Sequence, residues 1–110
     1  MAETFKNASL QNVSNSSAQT LYTAPSATST IVLGAALANK TGNTISATLN
    51  FVDSSATTTT KMLSAVQIPP NTTLEVFSGQ KYVLETGDSL TALASAGTSL
   101  DITLAVLELS

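Results

Sequence analysis

The side chains best placed for chemistry in this chain are its carboxylates, because it has no histidine and no cysteine. Asp53 with Glu75, or Glu85 with Asp88, are the pairs that could share acid–base work. Glycosidase-type chemistry needs two carboxyls held across a substrate, one with a raised pKa. Here each acid lies beside a turn or on a polar strand face, and no aromatic platform for sugar accompanies it. We take them as solvated surface carboxylates. Glu85-Thr86-Gly87-Asp88 offers oxygens to calcium, yet two acids around one turn lack the multi-ligand spacing of a calcium loop. A turn is the simpler reading, with Gly87 at positive φ and the Asp88 side chain capping nearby backbone amides. Serine is abundant, but a serine nucleophile needs a base, and with no histidine only a lysine base remains formally possible. Sequons at Asn7, Asn12 and Asn71 are expected by chance in so hydroxyl-rich a chain. Tyr22, Phe51, Phe77 and Tyr82 fall at strand positions and suit a core better than a ligand cage. The residues therefore predict no enzyme, no cofactor and no metal site.

Composition narrows the remaining functions. At 110 residues the chain makes one domain, long enough to bury roughly two thirds of its unfolded surface. Without cysteine there is no disulfide or thiolate site, and the redox compartment stays open. Lys6, Lys40, Lys61 and Lys81 are the only cations, against seven carboxylates, for a formal charge of −3. That balance opposes a nucleic-acid partner, which needs clustered cations to displace counterions. Serine and threonine make up about thirty per cent of the chain, while charged residues make up 10%, well below the roughly 25% of ordinary chains. Either hydroxyls solvate the surface, or the weakly charged surface is there to be covered, since interface cores are depleted of charge. No apolar run approaches the roughly 18–20 residues that span a bilayer, so no membrane partner is expected. MAETFKNASL lacks the pattern of a signal peptide, and the initial Met is what a complete gene product would show.

The elements that must position these residues are all extended. The organising stretch is Ile68 to Ser95, where Leu74-Glu75-Val76-Phe77, Tyr82-Val83-Leu84 and Leu90–Leu93 alternate with turns at Ser78-Gly79-Gln80 and Thr86-Gly87-Asp88. Such spacing reads as a compact β-meander, and a helix would have to pass through Pro69-Pro70, Gly79 and Gly87. Upstream, Glu3 to Gln11 is a first strand or an arm that docks on a neighbour, and Asn12 to Ser17 is polar and turn-prone. Gln19 to Thr23 is a short strand ending at Pro25. Thr30 to Asn39 is a long strand with Ile31, Leu33, Ala35 and Leu37 on one face and Val32, Gly34, Ala36 and Ala38 on the other. Alanine and leucine would also suit a helix there, which the β-branched start and Gly34 oppose. Thr44 to Val52 alternates with Ile45, Ala47, Leu49 and Phe51 inward, and it pairs naturally with Thr30–Asn39 as a hairpin.

Asp53 to Thr60 reads as a mobile loop tip joining two hairpins. Lys61 to Ile68 follows, with Met62, Val66 and Ile68 on one face and Leu63 and Ala65 on the other. The chain closes with Leu100 to Leu109, where Leu100, Ile102, Leu104 and Val106 share a face. The opposite face turns apolar at Leu107 and Leu109, as in a strand that lies between sheets or meets another subunit. Eight or nine short strands at this spacing predict an all-β antiparallel sandwich, jelly-roll or immunoglobulin-like in strand order. The division is residues 1–18 as arm or first strand plus polar linker, and 19–110 as one sandwich domain.

An ordered set of turn motifs runs through that domain. Tyr22-Thr23-Ala24-Pro25 precedes a strand ending in Ala-Asn-x-Thr-Gly (Ala38 to Gly42). Ile-Pro-x-x-x-x-Leu-Glu (Ile68 to Glu75) follows, then Lys81 before a hydrophobic triplet, Leu-Glu-x-Gly-Asp-Ser-Leu (Leu84 to Leu90), Ala-Ser-Ala-Gly, and a closing Leu107-Glu108. In order and spacing the set resembles a small β-sandwich module of tailed-bacteriophage virions, over residues Gln19 to Glu108. Pro69-Pro70 departs from the commoner Pro-Ala-Gly or Pro-Gly. The resemblance implies structural or adhesive work on the particle, usually as an oligomer, and no catalysis.

The resulting expectation is a virion protein made in the host cytoplasm, most simply a capsid decoration (cement) protein bound to the major capsid protein or other virion proteins. A homotrimer is the preferred form. Subunit or shell contacts are assigned to Phe5, Leu10, Val32, Ala36, Leu107 and Leu109. The alternative is a tail- or fibre-associated module that acts through its loops in host attachment or in joining tail parts. A carbohydrate-binding or hydrolytic domain is the third class, which the missing Trp and His oppose.

Overall fold

The computed structural model describes residues 3–77 and 82–110. Among them nine strands form: β1 (Glu3–Leu10), β2 (Gln19–Thr23), β3 (Ser29–Asn39), β4 (Ile45–Asp53), β5 (Thr58–Ile68), β6 (Thr73–Val76), β7 (Tyr82–Leu84), β8 (Ser89–Ala94) and β9 (Leu100–Leu109). They build an all-β antiparallel sandwich. The first sheet runs β1-β9-β3-β6, with β7 beside β6 on the same edge of β3; the second runs β2-β8-β4-β5. The pairs nest: β4 with β5, β3 with β6 and β7, β2 with β8, β1 with β9. One long hairpin wound up on itself gives this order, which is the jelly-roll topology and not the immunoglobulin one.

This order corrects two expected pairings. β3 and β4 do not form a hairpin, because they lie in different sheets and the 40–44 connection crosses between them. The Ile68–Ser95 stretch is no meander either: β6 and β7 both pair with β3, and β8 crosses to the second sheet. Local turn spacing cannot tell a hairpin turn from a crossover of similar length. The turn expected at Ser78-Gly79-Gln80 lies outside the described residues. Asp53–Thr60 is the tip of the β4–β5 hairpin itself, with Thr58 to Thr60 already in β5. Glu3–Leu10 is a strand paired with β9 of its own chain over its full length.

The alternation read from sequence fixes the core where strands are regular. Leu100, Ile102, Leu104 and Val106 of β9 and Ile45, Ala47 and Leu49 of β4 are all buried. They meet Leu37, Ile68, Leu84 and Leu90 between the sheets, and each large side chain so buried stabilises the fold by about 1.5–3 kcal/mol. Bulges on β3 and β5 break the pattern. On β3 the register against β9 shifts between Val32 and Gly34, leaving Leu33 as the extra residue. Val32 therefore pairs with Val106 and points inward, as do Ala35 and Leu37, while Ile31 pairs with Leu107 and points out. On β5 the register shifts twice, near Ala65 at φ 49°. Leu63 consequently pairs with Leu49 on the core side, not with Ala65 on the opposite face.

Candidate functional site

The two outer faces of the sandwich differ in kind. On the second sheet, Thr20, Ser46, Thr48, Asn50, Ser89 and Thr91 face away from the core, and Leu93 and Val52, paired with Thr48 and Ser89, lie among them in a mainly hydroxyl and amide surface. On the first sheet, register carries an apolar row across four strands. Phe5 of β1 pairs with Leu107 of β9, Leu107 with Ile31 of β3, and Ile31 with Val83 of β7. Directly paired residues of antiparallel strands share a face, and these four are on the outside. Phe5 is 75% exposed and Val83 57%; Leu107 and Ile31 between them are half-buried by their neighbours. Exposed apolar groups gathered in a row, as opposed to scattered singly, mark an interaction surface.

Next to the row the face sinks. Small residues, Gly34, Ala36, Thr103 and Ala105, floor a depression of about 370 Å³, with Leu33 and Val76 beside it and Glu75 on its rim. The bulge at Leu33 and the small side chains flanking it create that hollow. Gly34 is not required sterically, since an added Cβ would meet only the Val76 carbonyl oxygen, at 4.0 Å.

Charge is confined to the margins. Glu3, Glu75 and Asp101 are the outward acids of this sheet by register. Asp101 accepts from the Asn12 backbone N–H at 2.9 Å and faces Lys40 at 3.1 Å. Those contacts, the amide first, hold its carboxyl below the ordinary range. Among the described residues Lys6 turns inward to Glu108 at 3.2 Å and Lys61 lies on β5, while Lys40, in the β3–β4 connection, reaches the face only at its Asp101 margin. Among the described residues the face is uncharged at its centre, with Glu3, Glu75 and the Asp101–Lys40 pair at its rim.

Of the contact residues expected from sequence, Phe5, Ala36, Leu107 and Leu109 share this face. Leu10 does not: it pairs with Ile102 on the inner side and packs against the core. Val32 is corrected outright, being fully buried within the protomer by the β3 bulge. Ile31 and Val83 belong to the face and escaped sequence reasoning, while Ala105 lies on the outward side of β9 with Leu107 and Leu109, as alternation indicates. An apolar residue on a strand signals burial, and nothing local marks the bulge that turns Ile31 outward.

The acids singled out for chemistry are occupied structurally or kept apart. Asp88 is buried; its Oδ1 accepts from the Ser54 backbone N–H at 3.0 Å and Ser54 Oγ at 3.3 Å, and its Oδ2 from the Glu85 N–H at 3.0 Å. It caps backbone amides, as its turn position predicted. Asp53 Oδ1 accepts from the Ser55 and Ala56 N–H groups, both at 3.1 Å, and from Ser55 Oγ at 2.8 Å. That Asx turn, the Ala56 amide foremost, lowers the Asp53 pKa. Asp53 ends a strand of the second sheet, whereas Glu75 points out of the first. No family model matches this chain, nor does any curated protein or solved structure.

Proposed function

We propose that this chain is a non-enzymatic structural protein of a bacteriophage particle, a decoration or cement protein that lies on the major capsid protein through the outer face of its first sheet. The observation that supports this is the Phe5–Leu107–Ile31–Val83 row, exposed across the sheet and aligned by register. Charge-poor, aromatic-bearing patches make the cores of protein interfaces, and polar rims surround them. β1, β9, β3 and the combined β6–β7 edge, about 4.8 Å apart and overlapping over about eight residues, present roughly 500 Å² in projection. That falls short of the roughly 800 Å² per partner of a standard interface. A single copy would hold weakly, and many copies on a repeating shell would hold well through combined contacts.

Quantitative mass spectrometry of purified source particles tests the reading. Hundreds of copies in fixed ratio to the major shell protein are expected. A handful of copies would move the protein to the tail, and its absence from particles would end the virion reading. The tail alternative draws on the β4–β5 tip, where Ser54 to Thr60 are exposed hydroxyl-rich residues anchored by Asp53 and Asp88. Glycine replacement across that tip would change host range if the tip meets a receptor.

A further inference from the structure

A jelly roll leaves four sheet edges, and three of them here are blunted. The β6–β7 edge is split into segments of four and three residues. β2 has five residues, a register shift, and Pro25 just beyond it. β5 carries two register shifts, Ala65 at positive φ and the exposed Lys61. Bulges, prolines, charges and short strands are the usual devices against edge-to-edge pairing. β1 carries charge at Glu3 and Lys6 but has no bulge, no proline and no break: eight residues pair with β9 without a shift, and the first positive φ among the described residues comes at Asn12. Its one cation, Lys6, points to the inner side and is tied to Glu108. Alternate N–H and C=O groups of β1 thus face away from β9 in an unbroken series.

We propose that β1 pairs antiparallel with β1 of a second copy of this chain, about a two-fold axis normal to the sheet at Asn7. The axis keeps outer face with outer face, so residues of like parity oppose one another. Charge then selects the register. Centring on Lys6 would set two lysines opposite each other, which destabilises a strand pair. Centring on Phe5 engages only residues 3–7 of the described strand. Centring on Asn7 engages residues 4–10 of both copies, with Lys6 opposite Ala8, Phe5 opposite Ser9, and the two Asn7 amides side by side, able to donate and accept in turn. The contact is isologous and closes at two copies, so it replaces the trimer preferred from sequence. Both apolar rows then face the same way, which doubles the surface available to a flat partner. The pairing stands on the edge geometry alone and does not depend on what that partner is.

Charge exchange at one exposed residue tests it. Sedimentation equilibrium of the whole chain should show a reversible shift from the mass of one chain to that of two as concentration rises. Asn7→Asp and Asn7→Lys should each remain at the mass of one chain, and an equimolar mixture of the two should recover the doubled mass. A native chain that stays monomeric to its solubility limit overturns the proposal, as do single variants that still dimerise. Oxidative cross-linking supplies an independent reading, because the chain has no cysteine of its own. Opposed Cα atoms about 4.5–5.5 Å apart suit a disulfide, so Asn7→Cys should cross-link and Phe5→Cys, displaced along the strand, should not. The reverse pattern overturns the register, and with it the proposal.

Discussion

The Tyr22 hydroxyl donates to Oε2 of Glu108 at 2.5 Å and stands 2.9 Å from Thr30 Oγ1, so one side chain from the edge of the second sheet holds two strands of the first. Glu108 occupies the inward position after Val106 on β9, where the apolar core gives way, and it also receives Lys6 at 3.2 Å. Tyr22→Phe keeps the ring and removes the tie. A net hydrogen bond is worth about 1 kcal/mol, and a loss of that size should appear in denaturant titration. Burial first, and the Glu108 contact second, push the Tyr22 phenol from 10.0 up to about 12. The folded state therefore keeps this proton where the unfolded chain releases it. Stability is fully present below 10.0 and falls as pH rises toward about 12. Absorbance titration of tyrosinate should show a late component that Tyr22→Phe abolishes.

At the acid end the same cluster works with the opposite sign. The Tyr22 hydrogen bond, and then Lys6, hold the Glu108 carboxyl below its ordinary 4.5, although desolvation opposes them. A depressed folded pKa adds stability above 4.5 that disappears as pH falls through the folded value. Melting temperature followed from about pH 5 to about pH 3 should therefore fall less steeply in Glu108→Gln than in the native chain. Some slope should survive, because Asp53 and Asp101 are lowered too, chiefly by the Ala56 and Asn12 amides. A variant with an unchanged acid slope would remove Glu108 from the account.

How far the sequence could be read depends on where the backbone keeps its period. β9 and the first half of β4 alternate without interruption on their own strands, and their inward residues are those that alternation indicates. β3 carries one extra residue and β5 two, so the faces exchange beyond Leu33 on β3, and on β5 they exchange near Met62 and again near Ala65. A one-residue slip moves every later side chain to the other side, which is why Val32 went inward and Ile31 outward. Strand partners were illegible for another reason. β1 and β9 lie at opposite ends of the chain, and no local pattern records which distant strand will supply the ladder. The apolar outward ends, Phe5, Leu107 and Leu109, were legible because they break the polar alternation expected of an exposed face.

The inner and outer faces can be told apart by experiment at Val32 and Phe5. Val32→Ala removes methyl groups from a fully buried site and should cost about 1.5–3 kcal/mol in chemical denaturation. Phe5→Ser, at a site 75% exposed, should shift stability by no more than about 0.5 kcal/mol, and under the proposed function it should lower retention on a particle shell. If Phe5→Ser unfolded the chain and Val32→Ala did not, the assignment of inner and outer faces would be wrong.

The turn before β8 is pinned from three directions. Asp88 takes hydrogen bonds from Ser54 and Glu85, and its carbonyl oxygen accepts from the Ala24 N–H at 2.9 Å. Gly87 beside it has φ 88°, and a Cβ there would lie 2.8 Å from Ser54 Oγ. Gly87→Ala should therefore cost more than about 1 kcal/mol, from backbone strain and from the displaced serine together. Adding Ser54→Ala relieves the clash but not the strain, so the double variant should recover part of the loss in thermal unfolding. Full recovery would show that crowding alone was responsible.

Removing residues 1–11 would distinguish an arm from a strand. An arm resting on a neighbour could be cut with the fold intact, and only attachment would suffer. β1 is instead hydrogen-bonded to β9 through eight register pairs, places Ala8 and Leu10 against the core, and carries the Lys6 partner of Glu108. Its loss would bare the edge of β9, whose inner side is apolar through Val106, and an open apolar edge pairs with other chains. The truncated chain should melt lower and aggregate on heating, which light scattering during a thermal ramp would register. A truncated chain as stable and as soluble as the native one would restore the arm. Because the deletion damages the fold itself, the proposed attachment to a shell is better assayed with Phe5→Ser, which alters the outer row and leaves β1 in place.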